Sequence, residues 1–234
     1  MHSAKPLHTY ESQFSVTAPE LVLPYVFSLV HPETVIDVGC GIATWSAVAK
    51  SLGCTVKGVD GPHVPVEKRL ISSDEFVEID LLDFKASGRF DLVICLEVVE
   101  HIPEAGADRF ITALCSSADV ILFSAAIPFQ GGQNHVNEQW PIYWQSKFAD
   151  HGFRMLDVLR QHFWQESRIN WWYRQNMFLV CKNDHPLASG SREFDGSSFI
   201  HPELFLLKAA SASGRRRGLK RLLSFFKPAS RSIH

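Results

Sequence analysis

No Asp or Glu follows Glu203 in this 234-residue chain. From Lys208 onward there are eight Lys and Arg: Lys208, Arg215, Arg216, Arg217, Lys220, Arg221, Lys227 and Arg231. Setting those eight aside leaves 15 basic against 25 acidic residues, so the body carries a net charge of -10 while the whole chain sums to -2. The average describes neither part: an acidic body precedes a basic tail. An acidic body also excludes an extended basic footprint, so no nucleic-acid partner is expected. Long apolar runs are missing as well. None approaches the roughly 18 residues a membrane span needs, and the opening MHSAKPLHTYESQ lacks a signal-peptide core. The five cysteines, Cys40, Cys54, Cys95, Cys115 and Cys181, are odd in number and none pairs at zinc-ligand spacing. Four sit in or beside apolar runs, where a free thiol packs as a small core residue. A reducing cytoplasm and no metal are the expectations. No internal repeat is present.

What remains is a chain with 46% hydrophobic and 21% charged residues, enough for one full-sized core. Short apolar runs alternate with helical patterns. Strands are expected at TVIDV (34–38), TVKGVD (55–60), EFVEID (75–80), FDLVICLE (90–97), DVILFSAAI (119–127), FRMLDVLR (153–160) and NMFLVCK (176–182). Helices are expected over 42–52, over HVPVEKRL with Pro65 near its start, over 103–117, and over 137–151 ending at Gly152. This alternation predicts an α/β fold with a doubly wound, mostly parallel, seven-stranded sheet and helices on both faces. Ligands of such sheets sit at the carboxyl ends of strands. Residues 183–207 open with a Ser-, Gly-, Asp- and Pro-rich stretch and read as a linker. The tail 208–234 reads as disordered up to Gly218.

The first strand ends in Asp37-Val38-Gly39-Cys40-Gly41-Ile42-Ala43. Glycines at a strand-to-helix turn let the backbone approach a ligand. The dinucleotide spacing G-x-G-x-x-G/A fails here, because its last position falls on Thr44. Asp37, two places before the first glycine, would repel a phosphate and attract an ammonium. A nicotinamide-dependent oxidoreductase is therefore the weaker alternative.

DVGCGIA resembles the first motif of the class I S-adenosylmethionine-dependent methyltransferases. That resemblance implies a Rossmann-like sheet whose last strand runs antiparallel, with S-adenosyl-L-methionine as cofactor. It implies that Asp37, Gly39, Cys40 and Gly41 hold the amino-acid end of the cofactor. Asp60, followed by Gly61, matches the acidic residue that bonds the ribose hydroxyls. Asp80 matches the residue facing the adenine, with Leu81 adding backbone contact. FDLVICLEVVEHIPE matches the motif near the methyl donor, through Leu96, Glu97, Glu100 and His101. The resemblance covers about residues 8–182, taken as the catalytic domain 1–182. The departure is Ala43, where the family usually has a third glycine.

Methyl transfer to a hydroxyl needs a base to receive the acceptor's proton. After the fifth strand, Gly131-Gly132 gives a bend, followed by Gln133, Asn134, His135, Asn137, Glu138 and Gln139. His135 is the first base candidate and His101 the second, because imidazole titrates near neutrality. A loop histidine that caps the helix near Asn137 is the structural alternative. Trp140 and Trp144, four apart, are expected on one helix face. Arg174, Gln175 and Asn176 could bind a polar substrate group or form part of an aromatic plug. The combination GGxxHVNEQWPxYW with WWYRQN is similar to a bacterial subgroup found near glycan-modifying enzymes. That implies a small-molecule, sugar or glycan-linked hydroxyl as acceptor. A catalytically silent cofactor-binding partner protein is the alternative from another class. In the tail, Leu219, Leu222, Leu223 and Phe226 fall at i, i+3, i+4 and i+7 among basic residues. Such a pattern suits peripheral contact with an anionic membrane, and equally a solvated tail or one docked on the acidic body. None of these patterns specifies an oligomeric state.

Overall fold

The computed structural model describes residues 15–212. Seven strands form one sheet in the order β3-β2-β1-β4-β5-β7-β6. The described residues divide into two compact units, residues 15–95 with 112–121 and residues 96–111 with 122–212.

In the first unit, α1 (Thr17–Val30) buries Val22, Leu23 and Val26. The strands β1 (Thr34–Val38) and β2 (Thr55–Asp60) pair in parallel, with Asp37 opposite Gly58. On its other edge β1 meets β4 (Leu92–Leu96), with Asp37 opposite Ile94. Strand order reverses between β2 and β4 around β1, which is the place in such sheets where a ligand crevice opens. β3 (Phe76–Glu78) extends β2 in parallel. β1 and β4 are almost wholly buried, as continuous Val- and Ile-rich runs require in a parallel sheet. α2 covers Thr44–Ser51. The helix expected over HVPVEKRL reduces to one 3-10 turn, Val66–Lys68. Pro65 is extended at ψ 133°, and Arg69 leaves the turn to lie 3.8 Å from the Phe76 ring centroid and 2.6 Å from Glu78.

The second unit receives α3 (Glu104–Ser117) and β5 (Val120–Ser124) at its borders. It continues with α4 (Pro141–Ala149), β6 (Phe153–Leu156), α5 (Leu159–Phe163), α6 (Trp171–Asn176) and β7 (Phe178–Lys182). β6 and β7 pair antiparallel. Phe123 packs edge-on against Trp144 and Phe148 in the core. The helix expected from Asn137 starts only at Pro141, whose ring fixes the first helical φ. Trp140 is extended at ψ 150° and part-exposed, while Trp144 is buried. The two tryptophans therefore do not share a helix face.

The stretch read as a linker is folded. It contains α7 (Pro186–Gly190) and leads into α8 (Pro202–Ala212). Phe194 donates its N–H to Met155 O, and Asp157 donates its N–H to Arg192 O, both at 2.9 Å. Leu204 is buried with Ile127 and Trp171, and Leu207 packs on that cluster. Polar composition hid this, because a few aromatic and aliphatic anchors suffice to dock a polar segment. Residues 208–212, expected to be disordered, complete α8. The amphipathic Leu219–Phe226 pattern lies outside the described residues. No helix among the described residues is long and apolar enough to cross a membrane.

A buried ion pair anchors this segment. Asp157 accepts from Arg160 Nε at 2.8 Å and Nη2 at 2.5 Å, and the Arg160 guanidinium lies over the Phe178, Phe194 and Phe199 rings. Removing one partner strands the other charge. Asp157→Ala is expected to cost about 3–5 kcal/mol, read as a lower urea midpoint at unchanged slope. A loss below about 1 kcal/mol would place the anchoring in the aromatic rings instead.

Candidate active site

In the first unit the Asp37-to-Ala43 turn takes the shape its glycines allow. Gly39 has φ 79° and Gly41 φ 55°, both left-handed, where a side chain costs roughly 1–2 kcal/mol. Ala43 is also left-handed, at φ 68°. The third small residue therefore occupies the conformation that a glycine would take without strain. Ile42 and Ala43 stay outside the helix, which begins at Thr44. Gly39 and Cys40 both donate their N–H to Val59 O, at 2.8 and 3.2 Å.

Asp60, at the carboxyl end of β2, closes the turn. Its Oδ2 accepts from Gly41 N at 2.6 Å and its Oδ1 from Gly61 N at 2.7 Å. Each carboxylate oxygen keeps a second lone pair for a ligand hydroxyl. Asp37 is buried, and its Oδ2 accepts from the Ser46 hydroxyl at 2.8 Å and the Ser46 N–H at 3.2 Å. Burial, reinforced by the nearby Asp60 charge and opposed by the Ser46 bonds, pushes its carboxyl up to about 7. The Cys40 thiol is driven up by burial and by the Asp37 and Asp60 charges. It stays protonated and serves as packing.

Gly58 was not singled out by its sequence context, yet two side chains pack closely over it. A Cβ there would fall 2.8 Å from Ile71 Cδ1 and 2.9 Å from Cys40 Sγ. An interior glycine in a strand was the available signal. Asp80 is exposed and accepts from the Leu82 N–H at 2.9 Å. It caps the 3-10 turn Leu81–Asp83, where Leu81 is half-buried.

In the second unit Leu96 is buried, and Glu97 sits at the end of β4 in a left-handed conformation, φ 54°. Its N–H bonds both Ser124 O and Ser124 Oγ, at 3.1 and 3.0 Å. Its carboxylate accepts from Asn176 Nδ2 at 3.0 and 3.3 Å and from Gln130 Nε2 at 2.8 Å. Gln130 Oε1 accepts in turn from Asn176 at 2.9 Å. Burial raises the Glu97 carboxyl, against the Asn176, Ser124 and Gln130 bonds and the nearby His135.

Glu100 is wholly buried, and neither carboxylate oxygen has a hydrogen-bond partner. Burial drives its carboxyl well up, the Glu97 charge adds to this, and the nearby backbone N–H groups of Glu100 and Ala126 offset part of it.

The two histidines meet. The His101 and His135 ring centroids are 4.9 Å apart, edge to face. His135 Nδ1 lies 2.9 Å from Glu138 Oε1, which also accepts the Gly131 N–H at 2.5 Å. His101 Nδ1 lies 3.2 Å from Asn134 O. A carbonyl or carboxylate oxygen can only accept, so each Nδ1 donates to it, and in a neutral imidazole the Nε2 then holds the lone pair. A Cβ on Gly132 would fall 2.1 Å from His135 Nε2, so this glycine makes room for the ring. His135 is no helix cap, because α4 begins at Pro141 without a side-chain cap.

The trio Arg174-Gln175-Asn176 divides. Asn176 reaches Glu97. Arg174 pairs with Glu203 and donates to Trp164 O, while Gln175 accepts the His201 N–H at 2.7 Å. Sequence reasoning did not pick out Gln130 or Ser46. A lone Gln beside a Gly-Gly bend carries no spacing signal, and Ser46 lies one helical turn beyond a motif that ended at Ala43.

A glycine turn closed by two strand-end carboxylates, on a sheet of this order, defines a methyltransferase-type fold. The family described as "Methyltransferase domain" matches residues 10–181. The chain belongs to this family, within the class I S-adenosylmethionine-dependent methyltransferases. It is 35% identical over 80 residues to the ubiquinone biosynthesis O-methyltransferase of Pseudomonas paraeruginosa, covering 31% of this chain and 34% of the relative. It is 32% identical over 113 residues to the protein of that name from Xanthomonas axonopodis pv. citri, covering 44% of each. These matches span between a third and a half of the relatives' length. Among solved structures, the S-adenosylmethionine-bound amino pentose methyltransferase of Micromonospora echinaspora superposes with a TM-score of 0.58. Its identity is 13%, with coverage of 78% of this chain and 100% of that one. The magnesium protoporphyrin IX methyltransferase of Synechocystis, with bound S-adenosylhomocysteine, gives 0.54 at 20% identity, covering 77% and 90%. At these identities the likeness is one of fold.

Asp37 carries a test of its own. A carboxyl raised on folding contributes stability that is full below its unfolded value of 3.8 and is lost as pH rises through about 7. Asp37→Asn, which mimics the protonated acid, is expected to stabilise the ligand-free protein by on the order of a few kcal/mol at about pH 8 and by little near pH 4. Thermal melts at both pH values read the difference. An equal effect at both would show that Asp37 is not the group under strain.

Proposed function

We propose that the protein transfers the methyl group of S-adenosylmethionine to a hydroxyl oxygen of a small molecule. The observation that carries the oxygen assignment is the His101–His135 pair, edge to face, with each Nδ1 bonded to an oxygen. A hydroxyl must shed its proton as its oxygen attacks. The methyl carbon bonds the acceptor oxygen as its bond to sulfur breaks, the sulfonium becomes the neutral thioether of S-adenosylhomocysteine, and the proton is drawn off at the imidazole pair. The partial matches to proteins named as O-methyltransferases support an oxygen acceptor. The resemblance of GGxxHVNEQWPxYW and WWYRQN to a glycan-associated subgroup favours a sugar or glycan-linked hydroxyl within that class.

The first unit is the cofactor side of this reading. The Asp37 carboxylate takes the ammonium of the cofactor, and the bare backbone from Gly39 to Gly41 lies against its amino-acid end. Asp60 takes the ribose hydroxyls through its remaining lone pairs. Asp80 and Leu81 border the adenine, and Leu96 and Glu97 belong to the motif near the methyl donor. An ammonium favours ionised Asp37, so binding near neutral pH releases a proton. S-adenosylhomocysteine affinity is expected to fall as pH drops below about 7, by up to about tenfold per pH unit. Calorimetry in two buffers of different ionisation enthalpy reads the released proton directly. Asp37→Asn with undiminished affinity overturns the ammonium contact.

Labelled-methyl turnover against hydroxyl acceptors separates an enzyme from a silent cofactor-binding protein. His135→Ala is expected to lower kcat by about 100- to 10,000-fold while S-adenosylhomocysteine affinity holds. Full turnover in both His135→Ala and His101→Ala removes the imidazole pair from the chemistry. Contact of the basic tail with an anionic membrane is a separate proposal resting on the Leu219–Phe226 pattern. Unchanged partitioning into anionic liposomes after removal of residues 213–234 overturns it.

A further inference from the structure

We propose that Glu100, His101 and His135 hold a divalent transition-metal ion, of the zinc or manganese class, at which the acceptor hydroxyl binds. This deepens the O-methyltransferase reading and rests on it for the identity of the acceptor. It changes how the proton is lost: the ion acidifies the hydroxyl, the proton passes to solvent water, and the imidazoles act as ligands rather than as the base.

Three observations converge on one point in the second unit. First, a ligating atom from each of Glu100, His101 and His135 lies within 4.8 Å of the other two. An ion bonded at about 2.0–2.2 Å to each needs separations no greater than about 4.4 Å. Small side-chain rotations close the remaining gap.

Second, the imidazoles are already oriented as ligands. Histidines bound to metal commonly donate the other ring N–H to a carboxylate or a backbone carbonyl, which fixes the tautomer and raises basicity. His135 does so to Glu138, and His101 to Asn134 O. Asn134 adopts φ 61°, a left-handed conformation for a non-glycine residue, in the residue that supplies this carbonyl. Gly132 leaves the space that the His135 ring occupies.

Third, Glu100 is fully buried with both carboxylate oxygens unpartnered. Buried carboxylates are paired, hydrogen-bonded or bound to metal. Glu97 shows the contrast: Asn176 and Gln130 satisfy its carboxylate. No side chain among the described residues does this for Glu100.

The donor set decides the ion class. Two imidazoles and one carboxylate suit zinc, manganese(II), cobalt(II) or iron(II), whereas an all-oxygen set would suit magnesium or calcium. Three protein ligands leave open coordination positions, the mark of a site where an oxygen can bind and be acidified.

The full chain, stripped with chelator and titrated with Co2+ alone, provides the test. One Co2+ per chain with visible d–d absorption is expected. Affinity is expected to fall by at least about 100-fold in Glu100→Gln and in His135→Ala, and by about 10- to 100-fold in Glu138→Gln, which removes only the orienting carboxylate. Zinc calorimetry should follow the same order. Absence of the absorption, or Co2+ held equally by wild type and all three variants, overturns the site. His135 and Glu138, less buried than Glu100, keep the test readable if the Glu100 variant does not fold. S-adenosylhomocysteine calorimetry on the same samples separates the two proposals. Cofactor binding without Co2+ binding overturns the ion alone. Variant-sensitive Co2+ binding without cofactor affinity supports the ion site and overturns the methyltransferase reading.

Discussion

The Asp60 carboxylate bridges two backbone N–H groups, those of Gly41 and Gly61, and the first unit's site depends on this bridge. A left-handed turn with two glycines would otherwise sample many conformations, since glycine loses more entropy on ordering than any other residue. Two charge-assisted bonds of 2.6 and 2.7 Å hold it in one. They also join the carboxyl end of β2 to the turn that leaves β1. The paired bonds from Gly39 and Cys40 to Val59 O fasten the same two segments one step earlier. Gly58 belongs to this arrangement, because only a residue without Cβ lets Cys40 settle against β2. Backbone shape, strand register and the position of an acidic side chain are thus one feature seen from three sides.

Each unit concentrates negative charge in a buried place. Asp37 stands beside Asp60 in the first, and Glu100 beside Glu97 in the second. Among the described residues none of Asp37, Glu97 and Glu100 forms an ion pair with Lys or Arg. Contrast Asp157, whose burial is balanced by Arg160 at bidentate distance. A structural carboxylate is matched within the chain. A carboxylate raised by burial and by a like charge, with no cation beside it, is a candidate for a ligand that brings one. An ammonium suits Asp37, which has Ser46 for orientation and a glycine backbone alongside. As proposed, a metal ion suits Glu100, which has two imidazoles beside it and no side-chain donor among the described residues.

Much of this was legible in the residues. Each of the seven apolar runs holds one of the seven strands, but the run expected as strand over 153–160 ends at Leu156, and Leu159 and Arg160 open α5 instead. Strand-end carboxylates at Asp37, Asp60 and Glu97 were visible because sequence position and strand end coincide. Boundaries were less legible, for local reasons. Left-handed Ala43 delays α2, and Pro141 rather than Asn137 starts α4. The docked segment 183–207 was hidden because Phe194 and Leu204 are single anchors in polar surroundings. Relations across distance were not legible at all. Nothing in spacing shows that Asn176 and Gln130 converge on Glu97, or that Asn134 supplies the carbonyl for His101.

Left-handed Glu97 ties these points together. A glutamate at φ 54° is strained, and such residues persist only where surrounding contacts over-determine them. Here Ser124 takes its N–H while Asn176 and Gln130 take its carboxylate. Those bonds are more than a bland strand end needs. They hold the chain at the point where it leaves β4 for the short 3-10 turn Val99–His101, which carries Glu100 and His101. The strain is therefore local to the element that delivers the acidic and imidazole groups. The Glu100 carbonyl then accepts the N–H groups of Val136 and Asn137, at 2.9 and 3.0 Å. That brings the His135 segment to the same turn through backbone bonds, independent of any side chain. Main-chain contacts thus bring the two histidine segments together, while the Asn134 carbonyl and the Glu138 carboxylate orient the rings.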